Sequence, residues 1–357
     1  MATKSRPVGD MKVSVILTVL NEGNGLAELL DALLMQTARP DEIVVVDGGS
    51  RDDTLKVLNA YAQRDRRFKI YVEPGVNIAR GRNLAIARAE GDVLAITDAG
   101  CRPEPGWLRE LLLPLQNDPA VGAVGGRFIP VAQGRFEYYC GQLSVPDLGG
   151  ESQRGMFYGR SSAFRRRLWE RVGGYPEWLY TGEDTLFAIS AGRIGDYKIV
   201  YAPASVLSWR PRPTLPKMAK MFYLYGRGNG RIQHGDLQGS LYWLRYYFVL
   251  ALTLPLGLFS VWPWVISTIV FWHLYRTVVK PNLLLIKTRT DDSIDRYFYI
   301  PLIALTRNLS TNLGFVRGWL EYRNDDVFKR KLEEYLNGTW RRETAAGHQS
   351  GDAGQHS

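Results

Sequence analysis

The sequence predicts an α/β domain with an open, mostly parallel sheet over about residues 10–235, followed by an apolar helical segment. Short β-branched apolar runs alternate with stretches of helical spacing in the first part, which is the pattern of βαβ units. Acidic residues follow three of these runs, and after Pro216 the composition changes to long apolar stretches. With 357 residues, the chain is long enough for one large domain and an appendage.

The first predicted strand is the β-branched run from Val13 to Leu20, which residues Asn21–Gly25 interrupt. Apolar residues at helical spacing follow over Leu26–Leu34, and a second short apolar run covers Ile43–Asp47. Buried parallel strands have such continuous apolar sequences. The same alternation predicts helices over 53–63 and 78–89 and strands over 69–72 and 93–97. These elements predict an open doubly wound sheet.

Acidic side chains mark one edge of this sheet. Glu22, Asp47 and Asp98 each follow a predicted strand, and right-handed crossovers bring the carboxyl ends of parallel strands to a common edge where ligands bind. A carboxylate there accepts hydrogen bonds from a ribose hydroxyl or a base N–H, while Gly48 and Gly49 allow close approach of the backbone. This chemistry suits a nucleotide. The alternative is that Asp47 and Asp98 only cap the helices that follow.

The chain is basic, with a net charge of +9, so nucleic acid, anionic lipid and phosphate-bearing substrates are the candidate partners. The basic residues are scattered or grouped near apolar segments, which disfavours a nucleic-acid module. Cys101 and Cys140 form neither a metal-spaced set nor a disulfide framework, and this fits a reducing compartment. The first ten residues contain no apolar core of a signal peptide, so we expect the N-terminal domain to stay in the cytosol.

The stretch Tyr246–Tyr275 has no side chain with a fixed charge and contains Pro255 and Pro263. About 20 apolar residues span a bilayer as a helix, so the stretch predicts one kinked span or a re-entrant hairpin. The alternative is a buried helical pair. Tryptophans favour the membrane interpretation because they concentrate at bilayer interfaces; they are Trp243, Trp262, Trp264 and Trp272.

Three cations, Lys280, Lys287 and Arg289, follow this stretch and suit the cytosolic face of a membrane. A second apolar stretch, Tyr297–Leu320, contains several polar residues and is expected to be an interfacial, amphipathic helix. The membrane-associated segment is therefore expected over 236–338, and the small polar residues of 339–357 predict a disordered tail.

Three sequence runs, SVILTVLNEG, VVVDGGSRDDT and ARGRNLAIARAEGDVLAITDAG, resemble the nucleotide-binding half of the family 2 (GT-A fold) inverting glycosyltransferases. The resemblance extends roughly from Lys12 to Arg231. It implies a Rossmann-like domain that binds a nucleotide-sugar donor over about 10–120 and recognises the acceptor over about 121–235. In that second half, strand-like runs cover 121–129 and 197–202, with two helical stretches between them. By the same resemblance, the nucleotide-binding residues are Thr18, Glu22, Asp47, Arg82 and Asp98.

Arg80 is the alternative to Arg82 as a phosphate contact, because either guanidinium offers a planar fork of donors. The family places a metal at an Asp-x-Asp motif after the fourth strand, where Mg²⁺ or Mn²⁺ binds the sugar diphosphate. Here the motif is Asp98-Ala99-Gly100, so the resemblance leaves Asp98 as the one carboxylate for the metal.

The run Thr181–Phe187 resembles the Gly-Glu-Asp segment of the family and implies Asp184 as the general base, with Glu183 near the diphosphate or acceptor. An inverting transfer needs one carboxylate to accept the proton of the attacking hydroxyl. The alternative is an ordinary helix N-terminus, where acidic residues are favourable. Downstream, the Gly-rich, basic run Tyr225–Arg231 is expected to be a flexible loop whose Arg227 and Arg231 contact the diphosphate or a lipid headgroup.

Other classes fit less well. A nucleotidyltransferase would have a Gly-rich loop and an activating lysine after the first strand, and Asn21–Gly25 has no lysine. A dinucleotide-dependent oxidoreductase would need G-x-G-x-x-G there. A noncatalytic, membrane-anchored nucleotide-sugar-binding protein stays open because of Gly100. We expect a transferase at the cell membrane with a cytoplasmic catalytic domain, acting on a lipid-linked or surface glycan acceptor.

Overall fold

The computed structural model describes residues 11–23, 25–144, 157, 159–287 and 294–340. Its strands are β1 (Val13–Val19), β2 (Glu42–Asp47), β3 (Phe68–Val72), β4 (Val93–Thr97), β5 (Cys101–Pro103), β6 (Val121–Pro130), β7 (Ser161–Arg165) and β8 (Lys198–Trp209). Its first helices are α1 (Leu26–Leu34), α2 (Thr54–Arg64), α3 (Ile78–Arg88), α4 (Trp107–Asn117), α5 (Arg135–Ser144), α6 (Arg166–Val172) and α7 (Glu183–Ile194). The remaining helices are α8 (Leu215–Arg231), α9 (Leu237–Leu256), α10 (Trp262–Leu274), α11 (Lys280–Lys287), α12 (Arg296–Arg323) and α13 (Asp326–Asn337), with a π-helical turn over Tyr275–Val279.

All eight strands lie in one mixed sheet with the order β3-β2-β1-β4-β7-β6-β8-β5. The first four strands in that order are parallel, as the sequence predicts. β7 then pairs antiparallel with both β4 and β6, and β5 pairs antiparallel with β8. The predicted α/β class is confirmed. The second half of the sheet contains antiparallel pairs, so the whole sheet is not the simple doubly wound sheet that the sequence predicts. Between β6 and β8 the structure has three helices and the unpredicted strand β7, where the sequence suggested two helical stretches.

The strand register determines which side chains share the ligand-binding edge. Val19 of β1 pairs with Asp47 of β2, and Ile16 of β1 pairs with Ile96 of β4. Asp98, two residues beyond Ile96, is therefore level with Thr18. The core strands β1, β2 and β4 are buried along nearly their whole length, since a parallel sheet is covered on both faces.

The chain divides into two compact units. Within the described residues, the first unit falls in Met1–Ile129, Leu148–Trp209 and Arg330–Ser357, and the second in Pro130–Asp147 and Arg210–Lys329. The division differs from the expected boundary near residue 235. Composition cannot reveal this division, because the first unit is built from separate parts of the chain. The chain leaves it after β6, returns for β7 to β8, and returns again with the second half of α13.

Close packing of α8 against α12 organises the second unit. A Cβ on Gly226 or Gly230 of α8 would overlap the backbone of α12, and a Cβ on Gly314 or Gly318 of α12 would overlap the backbone of α8. Small residues at this spacing allow two helix backbones to approach closely. The prediction of a flexible loop over Tyr225–Arg231 is therefore wrong, because these glycines are the contact face of a helix.

The apolar stretch folds as α9, a turn and α10. No helix in the part of the chain that the structure describes is both long enough and apolar enough to cross a bilayer. Membrane insertion stays a prediction. Of the tail expected to be disordered over 339–357, the structure describes residues 339 and 340, and the centre of the Trp340 ring lies 6.4 Å from that of Trp178. The rest of the tail, the side chain of Lys287 and all of Arg289 lie outside what the structure describes.

Candidate active site

The loop after β2 is built around the fully buried Asp47. Its Oδ1 accepts hydrogen bonds from the backbone N–H of Gly49 at 2.9 Å and of Ser50 at 2.8 Å, and its Oδ2 accepts one from Ser50 Oγ at 2.5 Å. Asp47 thus caps its own loop. Helix α2 begins only at Thr54, whose backbone N–H donates to Asp52 at 3.0 Å, so the helix-cap alternative for Asp47 is wrong.

The loop after β1 is fastened to the Asp47 loop. Asn21, in the left-handed region with φ of 56°, donates its backbone N–H to Ser50 Oγ at 2.8 Å, and its Oδ1 accepts from Arg51 N at 2.9 Å. The backbone N–H of Glu22 donates to Thr54 Oγ1 at 2.8 Å. The two strand-end loops predicted to bind a nucleotide are therefore tied to each other.

Helix α3 lies against β1 at the same edge. A Cβ on Gly81 would lie 2.9 Å from Thr18 Cγ2, so glycine lets the helix approach the half-buried Thr18. The side chain of Asn77 caps this helix by accepting from Arg80 N at 2.9 Å. Arg80 is exposed, whereas Arg82 is buried beneath the helix. The two candidate phosphate contacts thus occupy different environments.

Arg82 is the centre of a buried charge network. Its Nη2 lies 3.0 Å from Asp98 Oδ1, and its Nη1 lies 3.0 Å from Glu183 Oε1. The guanidinium carbon is 5.4 Å from the centre of the Tyr175 ring, and a Cβ on Gly159 would lie 2.7 Å from Nη2. Burial is the largest influence and opposes the charge, but the carboxylates of Asp98 and Glu183 outweigh it and raise the pKa of Arg82. The side chain is a fixed cation that joins two predicted site residues.

Glu183 is the first residue of α7 and is buried. The preceding Gly182 has φ of 82°, a conformation that favours glycine. Burial, followed by the charge of Asp184, raises the pKa of Glu183 to about 7, although Arg82 lowers it in part. The bond to Arg82 indicates that Glu183 holds the network together, whereas its predicted contact with diphosphate or acceptor stays a prediction.

Asp184 follows Glu183 and is half-buried. Its Oδ1 accepts from Thr185 N at 2.7 Å, and its Oδ2 accepts from Gly159 N at 3.4 Å. These two donors are backbone amides, the Thr185 hydroxyl also donates to Oδ1 at 3.4 Å, and the first turn of a helix favours an anion. The carboxylate is thus oriented by the backbone, and its neighbour Glu183 makes the contact to Arg82.

Asp98 has a second basic neighbour that the sequence analysis missed. Arg160 Nε lies 3.9 Å from Asp98 Oδ2. The Arg160 guanidinium also lies 4.6 Å from the ring centre of Trp209 and 5.4 Å from that of Phe128, distances suited to cation–π attraction. No motif surrounds Arg160, so only the folded chain reveals it. The helix-cap alternative for Asp98 is wrong, since α4 begins only at Trp107.

Asp98 is the carboxylate of this edge that the sequence predicts as a ligand of a divalent metal. Among the described residues, no group of three His, Cys, Asp or Glu side chains could hold a metal ion. Position 100 is a glycine with open space around it, so no second carboxylate is present there. Mg²⁺ commonly binds one or two carboxylates together with substrate phosphates and water. Asp98 fits a metal site of this kind, in which most ligands come from the donor diphosphate and solvent.

The loop around Tyr175 is held by three helices of the first unit. Asn83 on α3 accepts from Tyr175 N at 2.8 Å and from Trp169 Nε1 at 3.0 Å, and donates to Tyr175 O at 2.8 Å. From α13, Tyr335 donates its hydroxyl to Gly174 O at 2.6 Å. These bonds place the Tyr175 ring beside Arg82. In the sequence, Asn83 and the run Gly173–Tyr175 are the features that could have indicated this loop.

Arg227 and Arg231 lie on α8 in the second unit. Arg227 Nε is 2.9 Å from Glu321 Oε2, and Arg231 Nε is 3.9 Å from the same oxygen. Arg231 also lies 4.3 Å from the ring centre of Phe328. Both side chains thus pair with a carboxylate of α12, and their predicted contact with a diphosphate stays a prediction.

Comparison with known proteins shows the family of the chain. Residues 14–200, just over half of the chain, match Glycosyl transferase family 2. The O-antigen chain rhamnosyltransferase RfbN of Salmonella typhimurium is 28% identical over 212 residues, which cover 55% of this chain and 66% of RfbN, just under two thirds. Glycosyltransferase AglE of Haloferax volcanii is 28% identical over 251 residues, covering 69% of this chain and 80% of AglE.

A solved mannosyltransferase from Pyrobaculum calidifontis, in complex with GDP-Man and Mn²⁺, shares the fold with a TM-score of 0.55. The two chains are 20% identical, and the match covers 90% of each. This likeness supports the predicted GT-A-like α/β fold. From the family match and the arrangement of β1 to β4, the chain belongs to glycosyl transferase family 2.

Proposed function

We propose that the chain transfers a sugar from a nucleotide-sugar donor to a hydroxyl acceptor with inversion at the anomeric carbon, and that Asp184 is the general base. One observation carries the proposal. Asp184 stands in the first turn of α7 next to Glu183, and Arg82 links Glu183 to Asp98, the carboxylate that follows β4. This link brings the predicted base segment to the predicted donor edge within one unit.

Asp184 and its neighbours have separate roles in the proposed transfer. Asp184 accepts the proton of the acceptor hydroxyl as its oxygen bonds to the anomeric carbon. The bond from that carbon to the donor diphosphate breaks on the opposite face, and the diphosphate leaves with the electron pair. The amides of Thr185 and Gly159 orient Asp184. Glu183 is buried against Arg82 and positions the segment, so a second catalytic carboxylate is not required.

The loops of Glu22 and Asp47 bind the nucleoside in this proposal. Asp47 Oδ1 already accepts two bonds and Oδ2 one. A carboxylate offers about four acceptor sites, so Oδ2 keeps one site. Because Asp47 is fully buried, a base N–H or a ribose hydroxyl reaches this site only if the loop of Gly49 and Ser50 opens when the donor binds. Asp98 would hold Mg²⁺ or Mn²⁺ against the diphosphate, and the bound metal would offset the charge of the leaving group. The Mn²⁺ of the mannosyltransferase complex supports a metal of this class.

The proposed acceptor is lipid-linked or a growing surface glycan, and the proposed location is the cytoplasmic face of the cell membrane. The charge-free stretch Tyr246–Tyr275 supports the location. The O-antigen chain activity in the name of RfbN supports the acceptor class. Tethering concentrates an enzyme and a lipid-linked acceptor in two dimensions.

The test is release of nucleoside diphosphate from UDP-, GDP- and dTDP-sugars by membranes that contain the protein, with Mn²⁺, Mg²⁺ or EDTA. Asp184→Asn should lower release by about 10²- to 10⁴-fold, the usual contribution of a general base. Asp196→Asn is the matched control, because Asp196 lies just beyond the other end of α7 and is exposed. Equal release by the two variants would refute Asp184 as the base, whereas loss of release in EDTA would show that release requires a divalent metal.

The second candidate function is noncatalytic binding of nucleotide sugars at the membrane, which Gly100 in place of a second carboxylate favours. Binding of a nucleotide sugar without release from any donor, with lipid-linked acceptors present, would select it.

A further inference from the structure

The α9–α10 hairpin of the second unit presents an exposed apolar tip. Leu258 and Phe259, in the turn between the helices, are 82% and 85% exposed. Most apolar side chains around them are exposed as well; they are Leu252, Leu256, Val261, Trp262, Trp264, Val265, Ile266 and Ile269. No Asp, Glu, Lys or Arg occurs between Tyr246 and Tyr275. An apolar surface of this extent is typical of an interaction site.

The two helices run antiparallel, and side-chain contacts define their register. The Tyr246 ring stacks on His273 with ring centres 4.3 Å apart, and Thr253 Oγ1 lies 2.7 Å from Ser267 Oγ. Trp264 Nε1 donates to Gly257 O at 2.9 Å. The hairpin therefore has a tip at residues 257–264 and a base at Tyr246 and His273.

The base of the hairpin is aromatic and cationic. Arg245 lies 4.2 Å from the ring centre of Tyr242 and 4.8 Å from that of Tyr246. Arg276 and Lys280 continue from α10 beyond His273 and are exposed. Aromatic rings with a polar edge and exposed cations are the groups that favour the headgroup region of an anionic bilayer. The charge thus lies at one end of the hairpin and the apolar surface at the other.

The length of the hairpin matches one leaflet. At about 1.5 Å per residue, the helix from Tyr246 to Leu256 rises roughly 15 Å. The hydrocarbon core of a bilayer is about 30 Å thick, so this rise equals about half of it. With the base at the headgroups, the tip would reach the middle of the bilayer without crossing it.

Three hydroxyl groups within the hairpin, those of Thr253, Ser267 and Thr268, are bonded internally, as a low-dielectric surrounding requires. Thr253 Oγ1 donates to Val249 O at 2.9 Å in addition to its contact with Ser267. Thr268 Oγ1 donates to Trp264 O at 2.8 Å. These bonds allow insertion of the two helices at little cost in unsatisfied hydrogen bonds.

We propose that the α9–α10 hairpin inserts its tip into one leaflet of an anionic phospholipid bilayer, with Arg245, Arg276 and Lys280 on the lipid phosphates. The proposal deepens the proposed membrane location by naming the segment, the depth and the lipid charge. Vesicle binding needs neither donor nor turnover, so its failure and failure of the transferase proposal are distinguishable.

Flotation of the full chain with phosphatidylcholine vesicles, with and without phosphatidylglycerol, tests the proposal. We expect binding to the anionic vesicles, and Leu258→Asp/Phe259→Asp should weaken it by about 10²-fold or more because two large apolar side chains leave the bilayer. The control is Leu113→Asp, an exposed leucine of α4 in the first unit, which should bind as the unchanged protein does. Equal binding by both variants would overturn the proposal.

Depth is measured with a fluorophore on Phe259→Cys. Cys101 and Cys140 are both buried, so the introduced thiol is labelled selectively. Lipids with a quencher near the end of the acyl chain should quench this probe more than lipids with a headgroup quencher, and a probe on Leu113→Cys of α4 should show no quenching. Absence of vesicle binding would overturn the proposal. If the protein were then a dimer that Leu258→Asp/Phe259→Asp dissociates, the tip would be an interface between two copies.

Discussion

Replacement of Arg82 by methionine tests whether the buried charge network holds the first unit together. Arg82 is 2% exposed and lies 3.0 Å from each of two carboxylates, Asp98 and Glu183. Methionine fills part of the same space and leaves Glu183 buried without a countercharge. Removal of one partner of a buried ion pair costs about 3–5 kcal/mol, so we expect a loss of this size in the free energy of unfolding near pH 8.

Arg88→Met on the same helix is the matched control. Its Nη2 lies 2.5 Å from Glu73 Oε1, but the two side chains are 34% and 32% exposed. Water and salt screen such a pair, so its loss should cost about 0–1 kcal/mol. Urea unfolding followed by circular dichroism measures both variants.

The double variant Arg82→Met/Glu183→Gln separates the ion pair from simple packing. Removal of the unpaired carboxylate should recover part of the lost stability, which a packing defect would not. Two results would contradict this prediction. One is a loss of unfolding free energy in Arg82→Met no larger than that in Arg88→Met at pH 8; the other is a loss in the double variant equal to the sum of the losses in the single variants.

Two further predictions concern pH and packing. Because the pKa of Glu183 is raised to about 7, its contribution to stability is fully present below the unfolded-state pKa near ~4.3 and is lost as pH rises through the folded-state value. Glu183→Gln should therefore flatten the pH dependence of the unfolding free energy between about pH 4 and pH 7, and an unchanged slope would contradict it. Gly226→Ala, whose methyl would overlap the Thr311 carbonyl, should lower the unfolding free energy by about 1–3 kcal/mol, whereas Gly134→Ala, with open space around it, is the control that should change little.

The parallel half of the sheet could be predicted from the sequence almost residue by residue. The runs Val13–Val19 and Val93–Thr97 are continuous and apolar because both faces of β1 and β4 are covered. β7, Ser161–Arg165, was missed because two serines and an arginine hide a buried strand. Its Ser161 is satisfied inside the fold, where it accepts from Trp107 Nε1 at 2.9 Å.

The individual residues of the candidate site could be named from the sequence, but the contacts among them could not. Asp98, Glu183 and Arg82 were each named by motif, yet the Arg82–Glu183 pair joins positions 101 residues apart, and such pairing depends on tertiary packing. The run Tyr225–Arg231 was misinterpreted because glycine and arginine also compose flexible loops. The informative signal was the spacing of Gly226 and Gly230, repeated in Gly314 and Gly318 of α12.

The hydrogen bond from Tyr335 to Gly174 has a consequence for the order of folding during synthesis. It joins positions 161 residues apart, and Tyr335 also contacts Trp178, with ring centres 6.2 Å apart. Domains usually fold as they leave the ribosome, N-terminal first. Here the strands β1 to β8 are complete at Trp209, yet the loop around Gly174 gains its bond from Tyr335 only after the residues from Arg330 onward have been translated. A fragment that ends at Trp209 would therefore lack part of its own unit.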